Sequence, residues 1–94
     1  MIPKYAAKRD ANEREIIDAL EKAGCQVWQV NHAGLPDLYV MRAGKGYWLE
    51  CKSGRYGKLT KAQQANLERG LRFEIVRCPI EALHAVGIHH EKAV

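Results

Sequence analysis

The chain has 94 residues, three cysteines and a formal net charge of +4, which bounds it to one small domain with a modest core. Cys25, Cys51 and Cys78 are odd in number and form no C-x-x-C pair, so neither a disulfide framework nor a zinc site is indicated, and a reducing, cytoplasmic setting is expected. No run near 18 apolar residues occurs and the segment behind Met1 is charged, which argues against a membrane partner or a secretory signal.

The charge is uneven. From Arg42 to Arg77 there are nine Lys or Arg against three acids, a local +6, while each flank carries −1. A basic middle suits a polyanion, most commonly a phosphate backbone, and a solvated basic surface explains it equally well.

In chain order, residues 1–9 read as a basic lead-in. The spacing predicts a helix over 10–23, with Ile16, Ile17, Leu20 and Ala23 on one stripe and Gly24 closing it. Residues 25–30 read as a strand and 31–36 as a loop punctuated by Gly34 and Pro36. Residues 37–42 and 47–52 form a hairpin turned by 43–46. After a loop over 53–59, a second helix spans 60–69 and ends at Gly70. A fourth strand covers 73–77 and a third helix 79–86, with proline in its first turn. The expected fold class is α/β, a mixed central sheet flanked by helices in the order α-β-β-β-α-β-α. It makes a single domain over 1–94 with its core at about 10–86. Trp28, Trp48 and Tyr47 read as core residues rather than base-stacking ones.

The chemistry concentrates at Pro36-Asp37 and Glu50-Cys51-Lys52. Residues two apart in a strand share a face, so Glu50 and Lys52 project together, with Cys51 opposite. The hairpin brings Asp37, at the start of one strand, level with the end of the other. Two converging carboxylates repel unless a cation lies between them, and hard divalent ions prefer such oxygen ligands. A lysine beside them can hold the attacking water and offset phosphate charge. Taken alone, Glu50 and Lys52 also read as a surface pair.

Glu13 continues the apolar stripe of the first helix toward the sheet, where a metal would partner it. It also stands at capping-box spacing from Asp10, and both roles remain open. Gln63 has the same two readings, a capping box with Thr60 or a side chain aimed at the site. His32 is a candidate for phosphate contact or acid–base chemistry, or a loop hydrogen-bonder. Arg55, Lys58 and Lys61 follow the strand and are placed to hold a DNA backbone. His84, His89 and His90 have no partner at metal-ligand spacing.

Taken together, these residues resemble the PD-(D/E)XK nuclease superfamily, and within it the stand-alone, virus-type VRR-NUC domains. The resemblance covers about residues 12–83. It rests on Glu13, Leu20 and Gly24 in the first helix, on Gly34-Leu35-Pro36-Asp37, and on Leu49-Glu50-Cys51-Lys52. The helix opening Gly57-Lys58-Leu59-Thr60-Lys61-Ala62-Gln63 and the stretch Ile75-Val76-Arg77-Cys78-Pro79-Ile80-Glu81-Ala82-Leu83 extend it. The first helix is also similar to that of archaeal Holliday-junction resolvases, which implies a metal-ligand role for Glu13. The resemblance implies an αβββαβ restriction-endonuclease-like core, with Mg²⁺ or Mn²⁺ on Asp37, Glu50 and the backbone carbonyl of Cys51. It implies Lys52 as the catalytic lysine and Gln63 in support. It further implies a homodimeric endonuclease acting on branched DNA such as Holliday junctions. The alternatives are a less selective flap, nick or end nuclease, and a non-catalytic DNA-binding module of the same fold.

Overall fold

The computed structural model describes residues 12–53 and 59–89. Helix α1 (Asn12–Lys22) leads into strands β1 (Gln26–Gln29), β2 (Leu38–Arg42) and β3 (Lys45–Cys51). Helix α2 (Lys61–Glu68), strand β4 (Glu74–Val76) and helix α3 (Pro79–Ala85) complete the order. The protein is thus a small α/β domain with a four-stranded mixed sheet and three helices, in the order read from the sequence. The expected helix start at Asp10 lies outside the described residues.

Helix α1 forms because Ile16, Ile17 and Leu20 recur on one face, and all three are buried. It stops at Gly24, whose φ of 95° is the left-handed conformation a helix end favours in glycine. The amides of Gly24 and Cys25 turn back to the carbonyls of Glu21 and Leu20, which satisfies two carbonyls the helix leaves open.

The sheet order is β1-β2-β3-β4, antiparallel across the first two pairs and parallel between β3 and β4. Arg42 pairs with Lys45, so the hairpin turn is Ala43-Gly44 alone, with φ of 51° and 81°. A two-residue hairpin loop with positive φ at both positions matches the strand twist. The expected turn over 43–46 is therefore too long, and Lys45 and Gly46 belong to β3.

The register places Val27, Val40 and Tyr47 in one row and Gln29, Leu38 and Leu49 in the next. These rows, with Cys51 and Val76, face α1 and α3, which pack on each other. The buried core, including Ala82, Leu83 and Val86, lies on this side. The opposite rows point away from it, and there the sequence reading needs correction. Trp28 is 49% exposed, and Trp48 is half-buried on the same outer face. Strand alternation sends both indoles away from α1 and α3. Tyr47 does pack against the core.

Helix α2 begins with a capping box. Thr60 Oγ1 accepts from the Gln63 amide at 3.1 Å, and Gln63 Oε1 accepts from the Thr60 amide at 3.0 Å. It is tied to the loop ahead of β2 by Asn66 Nδ2, which donates to the Gly34 carbonyl at 2.7 Å. Gly34 is buried with φ 88°, and a Cβ there would fall 2.8 Å from Asn66 Nδ2. The close approach of loop and helix needs glycine at this position.

Candidate functional site

The site builds at the end of the sheet where β2 starts and β3 finishes. Leu38 pairs with Leu49, which brings Asp37 level with Glu50. The Asp37 amide donates to Glu50 Oε1 at 3.1 Å, and the Cys51 amide donates to Asp37 Oδ2 at 2.9 Å. This reciprocal clasp fixes both carboxylates with hydrogen bonds to charged acceptors, which are stronger than neutral ones. Lys52 Nζ stands 3.0 Å from Glu50 Oε2, with the lysine side chain 15% exposed and the glutamate 4%. The structure therefore brings Asp37, Glu50 and Lys52 together.

Glu13 joins from the core side. It is 3% exposed on the inward stripe of α1, and its Oε2 accepts from Gln29 Nε2 at 2.9 Å. The side chain thus reaches toward β1. Its capping alternative involves Asp10, outside the described residues.

One carboxylate oxygen each from Glu13 and Asp37 and the Sγ of Cys51 all lie within 4.8 Å of one another. The family resemblance implies a ligand role for the Cys51 backbone carbonyl, and the structure places the buried Cys51 thiol beside the two acids. The reason is local. Asp37 precedes β2, so its carboxylate reaches around the strand end to the Cys51 amide, on the side from which α1 presents Glu13. Glu50 is outside this three-residue group and is held between the Asp37 amide and Lys52.

The donor set fits a divalent cation. Two carboxylates brought this close, Glu13 buried and Asp37 half-buried, gain from a positive charge between them, and oxygen donors suit Mg²⁺ and Mn²⁺. The thiol adds a softer donor, which favours Mn²⁺ over Mg²⁺.

The remaining sequence candidates separate. Gln63 is buried, and its Oε1 is engaged in the helix cap. His32 is exposed, with Nδ1 3.1 Å from the Ala33 carbonyl, a hydrogen bond within its own loop. Lys61 is exposed in the first turn of α2. Arg55 and Lys58 lie outside the described residues. His84 and His89 stack at 4.9 Å between ring centroids, and among the described residues no third metal-ligating side chain joins them.

Two residues at the site carry no motif signal. Asn12 Nδ2 donates to the carbonyls of Lys52 at 3.0 Å and Arg77 at 2.8 Å, tying the start of α1 to the ends of β3 and β4. Its Oδ1 is buried with no hydrogen-bond partner among the described residues. Gln29, which holds Glu13, could be found only by following strand parity to the core face. Comparisons with protein-family models, with curated proteins and with solved structures find no match.

Proposed function

We propose that this protein is a divalent-metal-dependent endonuclease that hydrolyses DNA phosphodiester bonds, a VRR-NUC-like member of the PD-(D/E)XK superfamily. The observation that carries the proposal is the convergence of Glu13, Asp37, Glu50, Cys51 and Lys52 at one sheet end. Glu13, Asp37 and Cys51 would hold Mg²⁺ or Mn²⁺, with Glu50 alongside. When bound, such an ion makes a water nucleophilic near neutral pH and offsets charge building on the phosphate.

The chain's own groups have separable tasks. Asp37 is oriented by the Cys51 amide, and Glu50 by the Asp37 amide. Glu50 in turn holds Lys52, whose side chain is 15% exposed. Only one of the lysine's three N–H donors is needed for that pair, so the others can meet a phosphate oxygen or a water. Lys61, with Arg55 and Lys58, would hold the backbone. A homodimer would present two equivalent sites to a four-way junction, which requires symmetric cuts.

The test is cleavage of labelled four-way junction, flap and linear duplex in Mg²⁺, Mn²⁺ or EDTA. Metal-dependent cleavage abolished by EDTA is expected, with paired cuts in the junction. Lys52→Met, assayed below its own melting temperature, should bind the junction without cutting it. Failure of the wild-type protein to cut any substrate in either metal would overturn the proposal.

A further inference from the structure

A row of aromatic rings crosses the sheet face opposite the core. Trp28 pairs with Tyr39, and Tyr39 with Trp48, across β1, β2 and β3. The ring centroids are 6.1 Å and 4.8 Å apart. The Tyr39 hydroxyl lies over Gly46, where any Cβ would collide with it, so glycine lets the ring lie low between the two indoles. Trp48 is two residues from Glu50 on the same face of β3, a separation of roughly 7 Å.

The geometry points to this row as a stacking platform for unpaired bases of a nucleic acid strand running beside the carboxylate–lysine site. The identity of the polymer rests on the nuclease proposal; the stacking itself does not require cleavage. Every base has a π-face, so aromatic rings in series beside cations hold single strands with little sequence preference. The charge is complementary at the sheet end, where Lys52 shares the face of Trp48 and Glu50.

Area argues against a second copy as the occupant. A fully exposed tryptophan presents on the order of 250 Å², so one half-exposed indole and two partly buried rings offer about 300 Å² at most. A stable protein interface buries about 800 Å² per partner. The row is too small for that and adequate for two or three bases.

Both tryptophans of the chain belong to the row, so intrinsic fluorescence reports on it without background. The experiment titrates a short thymidine oligonucleotide, and a duplex of equal length, into the intact protein in EDTA. Quenching and fluorescence anisotropy of a labelled strand are read together. The single strand should quench saturably and the duplex much less. Trp28→Ala should weaken single-strand binding by roughly tenfold or more, while Trp28→Phe retains most of it and both variants keep the wild-type circular dichroism. Equal affinity of Trp28→Ala and wild type, or saturation by anisotropy without quenching, would overturn the platform. So would self-association that Trp28→Ala abolishes, which would assign the face to a second copy. Trp28-dependent quenching in a protein that cuts nothing supports the platform and counts against the nuclease proposal. Cleavage without quenching does the reverse.

Discussion

Replacing Lys52 by methionine separates the lysine's part in stability from its part in chemistry. Methionine keeps an unbranched apolar stem of nearly the same length and removes the ammonium 3.0 Å from Glu50, whose side chain is only 4% exposed. Removing one partner of a fully buried pair costs about 3–5 kcal/mol, because a charge is left without compensation. Two features reduce that here. The lysine side chain is 15% exposed, and Glu50 keeps its hydrogen bond from the Asp37 amide. A loss of about 2–3 kcal/mol follows. In a domain of this size each kcal/mol moves the midpoint by about 4–8 °C, so Tm should fall by roughly 8–24 °C. Urea denaturation of wild type, Lys52→Met, Glu50→Gln and the double variant forms the assay. The double variant should lose about 1–2 kcal/mol less than the two single losses added together, since glutamine no longer needs the ammonium. A Lys52→Met protein within about 0.5 kcal/mol of wild type would refute the reasoning, because that is the behaviour of an exposed pair.

Four further outcomes are expected. Cys51→Ser should weaken Mn²⁺ binding more than Mg²⁺ binding, measured by calorimetry, because it exchanges a soft donor for a hard one; parallel losses would exclude the thiol as a ligand. Gly34→Ala should cost about 2 kcal/mol or more in urea, combining a positive-φ penalty with displacement of Asn66. Burial raises the Cys25 thiol above its ordinary 9.0, partly offset by the Arg42 charge. Because the folded thiol keeps its proton to higher pH than the unfolded one, its contribution is complete below the unfolded value and is lost as pH rises through the folded one. Stability should therefore fall as pH rises above about 9, by less in Cys25→Ala. At pH 8 iodoacetamide should modify Cys25 more slowly than half-buried Cys78.

Helix α1, the hairpin and the capping box were legible because each has a short-range physical cause. Ile16, Ile17 and Leu20 repeat at helical spacing, and Thr60 and Gln63 stand three apart. The turn was read too long because Ala43 is not a residue that announces positive φ, whereas Gly44 and Gly46 together marked a broader loop. The aromatic row was missed for a different reason. Tryptophan in a strand reads as core by hydrophobicity, and alternation alone does not say which face the helices cover. At the site, strand parity set Glu50 beside Lys52 and Cys51 on the opposite, core-side face, but it gave no sign that the Asp37 carboxylate would meet the Cys51 thiol there. Parity holds within strands, and Asp37 lies just outside β2, free to reach around the end. The contacts of Asn12 with Lys52 and Arg77, 40 and 65 residues away, have no local signature at all.

The central claim is that the acids at the sheet end hold a divalent ion, and Mn²⁺ titration of the DNA-free protein tests it most directly. Asp37→Asn is the informative variant, since an amide oxygen can still accept from the Cys51 amide and keep the clasp. The account predicts saturable Mn²⁺ binding by the wild type, weakened by roughly tenfold or more in Asp37→Asn, with the circular dichroism unchanged. No saturable binding, or equal affinity in the two proteins, would contradict it.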